Sequence, residues 1–325
     1  MYAVSMSSPV KRLNFFEKLL SRIDQSQRRH RSLAFPYAVI KKYSDDEANY
    51  QAALIAYYGF ISLFPLLIAA TATLQILGQN KPAVREQFLH NVTSYFPALG
   101  DSVTASIHTP SKTGLALFVS LLITFYGARG VAHAIQHALN HVWAVPRSRR
   151  AGFPKSTFKS FGIIFYAGTG FLVAASLTGY AAAATHALLP RLALGTIGFI
   201  ALFAVFWGVF TFGSSARKRP VANVPGALCA AIGFLVLQGV GGYLVGHYLH
   251  SQTGLNAQFA VVLAILFWLY LQAVVFMLAV EVNVVRVHRL WPRSIAPSPP
   301  LPADEKAYKL YHQREIFIQT TVPHD

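Results

Sequence analysis

Six apolar runs punctuate the chain, at about residues 52–77, 114–141, 161–184, 194–212, 224–248 and 258–285. Each approaches the length a helix needs to cross ~30 Å of hydrocarbon at 1.5 Å per residue. The last, QFAVVLAILFWLYLQAVVFMLAVEVNVVRVHR, is interrupted by one acid, Glu281, in its final turns, and Arg286, His288 and Arg289 follow at once. The second run is apolar only as far as Ala128; beyond it Arg129, His133, Gln136, His137, Asn140 and His141 recur at spacings of three and four. Those spacings place them on one face of a helix, as a polar stripe. The pattern predicts an all-α fold: a polytopic membrane bundle of six transmembrane helices occupying residues 44–290.

The flanks read differently. Residues 1–43 are basic, and Leu13, Phe16, Leu19, Leu20 and Ile23 form an apolar stripe among Lys11, Arg12, Lys18 and Arg22. A second apolar patch at 33–40 precedes Lys41 and Lys42. Such amphipathic helices are expected to lie on the anionic cytoplasmic leaflet, so membrane lipids are the expected partners. Ser44, Asp45, Asp46 and Glu47 read as a capping box opening the first span. At the far end, residues 291–325 begin with a proline-rich run and read as a disordered tail.

Composition supports the membrane reading. The chain is 54% hydrophobic and only 12% charged, with mean hydropathy +0.42, against about 25% charged residues in a soluble protein. The net charge of +16 raises the question of nucleic acid, but its distribution argues against that partner. Lys and Arg collect before the first span, at Arg147, Arg149, Arg150, Lys155 and Lys159, at Arg217, Lys218 and Arg219, and after the last span. The connection 78–113 holds three Lys or Arg, and 250–256 holds none. This asymmetry predicts both termini in the cytoplasm and a multi-pass protein of the bacterial inner membrane. The first fifty residues contain no cleavable apolar core. The single cysteine, Cys229, cannot form an intrachain disulfide.

Candidate chemistry is sparse. Arg129 and Glu281 are the two charges inside predicted spans, at similar depths near the cytoplasmic boundary and within reach of pairing. A buried membrane charge faces protein or water rather than lipid. The pair is either part of a polar cavity on a substrate or proton path, or a structural ion pair orienting two helices. His133, His137 and His141 follow at i+4 spacings, but no acid shares their stripe and no HExxH pattern exists, so they read as a polar juxtamembrane face and no metal is expected. Phosphate-binding glycine loops, a GxSxG elbow, CxxC pairs and paired acids for two-metal chemistry are missing from the sequence. No cofactor and no catalytic residue is expected. Prolines and glycines shape the spans: Pro65 predicts a kink in the first, Pro225 sits in the first turn of the fifth, and Gly168, Gly170 and Gly179 permit close helix approach in the third.

Four stretches carry a family resemblance: AALIAYYGFISLFPLLIA at 52–69, ARGVAHAIQHALNHVW at 128–143, VPGALCAAIGF at 224–234 and ILFWLYLQAVVFMLAVEVN at 265–283. In order and spacing the chain resembles the YihY/BrkB family of bacterial inner-membrane proteins, over residues about 45–290. The resemblance implies a six-helix inner-membrane protein with cytoplasmic termini. It also implies that Tyr57, Ser62, Pro65, Asn140, Pro225, Gly226, Glu281 and Asn283 stand at family-motif positions. The sequence departs from the family where a glycine usually precedes the late acid: Val280 occupies that place, after Ala279. The family once carried the label ribonuclease BN, which nothing in this sequence supports chemically.

These readings favour a transporter- or translocase-like protein acting on a lipid or small amphiphile, and not an enzyme. The alternative is a non-transporting scaffold in envelope assembly that works through its basic arms.

Overall fold

The computed structural model describes Asp24 and residues 31–77, 114–183, 188–248, 255–295 and 301–315. The amphipathic stripe read at 13–23, the whole connection at 78–113 and most of that at 250–256 lie outside these residues. Among the described residues the chain is helical, without strands. In chain order the helices are α1 (Arg31–Asp45), α2 (Ala48–Leu77), α3 (Gly114–Val142), α4 (Lys155–Ala183), α5 (Leu188–Gly213), α6 (Val224–Tyr248), α7 (Leu255–His288) and α8 (Pro302–Arg314). Helices α2 to α7 coincide with the six apolar runs to within about six residues at each boundary. Four segments are long and apolar enough to cross a membrane among the described residues: Lys155–Tyr180, Leu189–Gly213, Pro220–Gly241 and Val262–His288.

The long helices close a ring. Helix α2 packs on α3, α3 on α4, α4 on α5, α5 on α6, α6 on α7, and α7 returns to α2. An aromatic cluster cements one side of it, with the Phe206 ring 5.9 Å from Phe171, 5.8 Å from Phe234 and 6.5 Å from Phe276. Aromatic pairs at such separations add to the stabilisation of burial alone. Small residues set the helix spacing elsewhere. A methyl added at Gly127 would come within 2.8 Å of Ser62 Cβ, so α2 and α3 approach through a surface that only glycine allows. Gly170 is likewise closed off, by Val205, whereas Gly168 meets nothing within 4 Å.

Buried apolar side chains gather toward one end of the ring, where α2, α4 and α6 begin and α3, α5 and α7 end. The Lys- and Arg-rich connections lie at this end, here called the basic end. Two helices terminate there with the same device. At the close of α3, Val145 N donates to Asn140 O (2.9 Å) and Ala144 N to His141 O (3.0 Å), with Ala144 at φ 50°. At the close of α7, Leu290 N donates to Val285 O (3.0 Å) and Arg289 N to Arg286 O (3.3 Å), with Arg289 at φ 54°. This paired 6→1 and 5→2 bonding satisfies carbonyls that a helix end would otherwise orphan.

Both flanks depart from their sequence expectation. Residues 31–43 belong to α1, which is folded against α7 rather than set apart as an arm. Ala38 and Val39 share a small core with Val285, Leu290 and Ala307, and the Phe35 ring stands edge-on to Trp291 at 5.2 Å. The expected disordered tail contains a helix, α8, whose Ala303, Asp304 and Ala307 are buried. Apolar residues at Ala303, Ala307, Leu310 and Tyr311 recur at helical spacing, and this stripe faces α1 and α7. The capping box is replaced too. Ser44 and Asp45 lie inside α1, and the turn into α2 is made by Glu47 at φ 50°, with Glu47 N donating to Ser44 O at 3.1 Å.

Candidate functional site

The basic end holds a buried ionic network built from five elements. Glu281, about two turns before the end of α7 at His288, is fully buried. Its nearest cation is Lys42 of α1, whose Nζ stands 3.5 Å from Glu281 Oε2, and neither carboxylate oxygen accepts a hydrogen bond. Lys42 is itself buried; it donates to the Asp46 carboxylate one turn along and to Val142 O, at 3.3 Å, at the end of α3. Asp46 is the hub: its second oxygen accepts from Arg314 Nη1 of α8 at 3.1 Å, and its backbone carbonyl lies 3.1 Å from His141 Nε2. Two acids and two bases thus neutralise one another where water is excluded, the condition under which buried charges persist.

A second layer straps α8 over this network. Arg293 is fully buried and donates through Nε to Asp304 (2.5 Å) and through Nη2 to Asp45 (2.8 Å). Asp304 also accepts the backbone N–H groups of Ser294 and Leu301, each at 3.1 Å. Burial pushes the Asp304 carboxyl up, but Arg293 and those two N–H groups outweigh it and hold the group below its ordinary value. Burial alone would lower Arg293; its bonds to Asp304, with Tyr311 and Asp45 beside it, keep it above its ordinary value instead. Tyr311 donates its hydroxyl to Asp45 at 3.0 Å, and burial followed by Asp46 and Asp45 pushes its ionisation to higher pH than usual.

The residues singled out from sequence divide among these contacts. Arg129 does not meet Glu281; its guanidinium reaches Thr157 Oγ1 of α4 at 3.4 Å. His133 and His137 are exposed, and His137 lies 3.2 Å from Gln51 Oε1 and stacks on His141. Buried Asn140 accepts from Ser215 N at 2.7 Å and so fixes the segment after α5, while Gln136 donates to Ser160 Oγ at 2.7 Å and fixes α4. Ser62 bonds within its own helix to Gly59 O at 2.9 Å, and Tyr57 is exposed. Pro65 lies in α2 where side chains are not described. Among the described residues no group of three His, Cys, Asp or Glu could hold a metal ion.

Sequence reasoning missed Lys42, Asp46, Arg293, Asp304 and Arg314, because charges flanking a span read as headgroup-facing. One signal was present: Lys42 and Asp46 stand at i and i+4, the spacing of a helical ion pair.

Asn283 shows why the fifth span begins where it does. Pro225 has no N–H, and the next N–H, of Gly226, is one of the donors that a helix start leaves unsatisfied. Asn283 Oδ1 of α7 accepts it at 2.7 Å, fully buried. A Cβ at residue 226 would overlap Ala279 O and the Asn283 carboxamide. Pro225, Gly226 and Asn283 are one interlocking contact, and Glu281 lies two residues from it.

The family model described as Virulence factor BrkB matches residues 39–299. The chain belongs to the BrkB family. Its matched region contains α2 to α7, the Pro225–Gly226–Asn283 contact and the Lys42–Asp46–Glu281 cluster, and it stops before α8. BrkB-family relatives include a UPF0761 membrane protein of Vibrio vulnificus, 26% identical over 79% of this chain and 83% of its own length. A UPF0761 membrane protein of Vibrio cholerae is 25% identical over 90% and 95%. The ribonuclease-like protein YfkH of Bacillus subtilis is 23% identical over 77% and 94%. No solved structure matches. This BrkB chain is a multi-pass bacterial membrane protein.

Proposed function

We propose that this protein is a transporter- or translocase-like membrane protein for a lipid or small amphiphile, with the Lys42–Asp46–Glu281 network as its cytoplasmic closure. One observation carries the reading: Glu281 is fully buried, neither of its oxygens accepts a hydrogen bond, and its cation is shared with a second acid. A structural ion pair stabilises a helix contact when its lone pairs are satisfied. An acid that must share Lys42 favours an element with two arrangements, in which Lys42 serves Glu281 in one and Asp46 in the other. The cluster joins α1, the α1–α2 corner, the end of α3 and α7, so such an exchange would move several helix ends together. No enzymatic step is proposed.

The test is reconstitution into liposomes with a fluorescent phospholipid and, separately, an entrapped amphiphile. Movement above protein-free vesicles is expected for wild type and is expected to fall in Glu281→Gln, with thermal stability retained. Wild-type vesicles that behave as empty ones, or Glu281→Gln vesicles that match wild type, would overturn the reading.

A scaffold is the second reading, favoured by the exposed polar face of α8, where Glu305, Lys306, Lys309 and His312 point outward. It expects deletion of 302–325 to abolish function in cells while Glu281→Gln is silent.

A further inference from the structure

A second site lies one residue beyond the carbonyl that receives Lys42. Trp143 is 7% exposed, and its indole Nε1 is buried without a hydrogen-bond partner. Over the face of the same ring, 3.6 Å from its centre, sits Lys218 Nζ, also buried and also without a hydrogen-bond partner. Two unused donors therefore converge on one indole.

Among the described residues no acid acts on Lys218. The charged group acting on Lys218 is another cation, Lys159 of α4, whose own ammonium is taken up by Ser214 O at 3.0 Å. From α7 the His288 ring packs on Trp143 at 6.0 Å. Arg217 and Arg219 on either side of Lys218 are exposed. Burial first and Lys159 second push the Lys218 amine down to about 6. The indole offers a cation–π contact, but the buried amine leaves its N–H donors unsatisfied, and the unpaired indole N–H is a second unsatisfied donor. An occupant with oxygen lone pairs and negative charge would satisfy both donors at once.

We propose that Lys218 Nζ and Trp143 Nε1 form a binding site for a phosphate oxyanion, carried by a phospholipid headgroup or by a free phosphate. Lys218 supplies the charge, the indole N–H a fixed second donor, and Lys159, Arg217 and Arg219 a positive surround that draws the anion in. The site is independent of whether anything is transported.

Native mass spectrometry of delipidated protein in neutral detergent tests this, with phosphatidylglycerol titrated in one arm and inorganic phosphate in the other. Wild type should retain one more equivalent than Lys218→Met, whose affinity should fall about tenfold or more, as expected for losing a charge-assisted hydrogen bond. Lys218→Arg should retain binding, and exposed Arg219→Met should change it less than Lys218→Met. Retention in the lipid arm alone identifies a headgroup site, and retention in the phosphate arm identifies a free-phosphate site; either supports the proposal. For the phosphodiester, whose own charge is constant, binding should weaken several-fold from pH 6 to pH 8 as Lys218 loses its proton. Trp143→Phe removes the N–H and keeps the ring, so it tests the site even if Lys218→Met fails to fold. Equal retention by wild type, Lys218→Met and Trp143→Phe in both arms would overturn the proposal, leaving the cation–π contact as the role of Lys218.

Discussion

Replacing Gly226 by alanine tests the contact that joins α6 to α7 beside Glu281. The added methyl would overlap the Ala279 carbonyl oxygen, a backbone atom that cannot swing aside, as well as the Asn283 carboxamide. Relieving that overlap by shifting one helix costs about 1–3 kcal/mol, as overpacking of a tight core does. The shift also stretches the Gly226 N to Asn283 Oδ1 bond of 2.7 Å, and a buried acceptor left unpaired adds about 1–3 kcal/mol. Together the loss is about 2–6 kcal/mol, less whatever a more helix-favouring residue returns. At ~2–4 °C per kcal/mol for a domain of a few hundred residues, the unfolding midpoint should fall by about 4–24 °C. Differential scanning fluorimetry of the purified protein in detergent measures this directly. Gly168→Ala is the control, since a Cβ there meets nothing within 4 Å, and it should hold or slightly raise the midpoint. A Gly226→Ala midpoint within about 1 °C of wild type would refute the reasoning.

Other outcomes follow from the ionic network. Asp46→Ala removes the acceptor shared by Lys42 and Arg314 and leaves Glu281 as the one acid beside Lys42, so about 1–3 kcal/mol of stability should be lost, measured by the same thermal assay and by faster proteolysis within 302–314. Acid should release α8 late. The Asp304 carboxyl is held below its ordinary value of 3.8 in the folded protein, so its contribution is complete above that value and is lost as pH falls through the lower folded-state value. Hydrogen exchange over 302–314 should therefore stay protected against release from pH 7 to 5 and open only below about pH 4; opening between pH 7 and 5 would contradict the Arg293–Asp304 assignment.

The membrane helices were legible because the bilayer imposes one rule on every span: apolar side chains for its full thickness. Glycines at close approaches were legible only as a tendency, since the sequence treats Gly168 and Gly170 alike while the fold uses only one of them. Glu281 was legible as an ionisable group that protein must cover, but not its cation. Lys42 lies outside the apolar runs, where a basic residue ordinarily meets water or headgroups, and only the folding of α1 against α7 turns it inward. The same holds for Arg293 and Asp304. Their segment is rich in proline and charge, the signature of disorder, yet a four-residue apolar stripe in α8 and a buried guanidinium suffice to dock it.

The strap of α8 also fixes an order of assembly. Arg293 reaches back 248 positions to Asp45, Lys41 donates across 253 to Ser294 O, and Arg314 spans 268 to Asp46. Asp45 and Asp46 therefore acquire Arg293 and Arg314 only from segments synthesised after the six long apolar helices. Until then Lys42 and Asp46 have each other and the newly inserted Glu281, so a nascent chain can place its apolar helices while their basic ends are still unlocked. Synthesis of the last described turn closes the assembly, and a fusion at the carboxyl side of residue 315 adds its bulk next to that clasp.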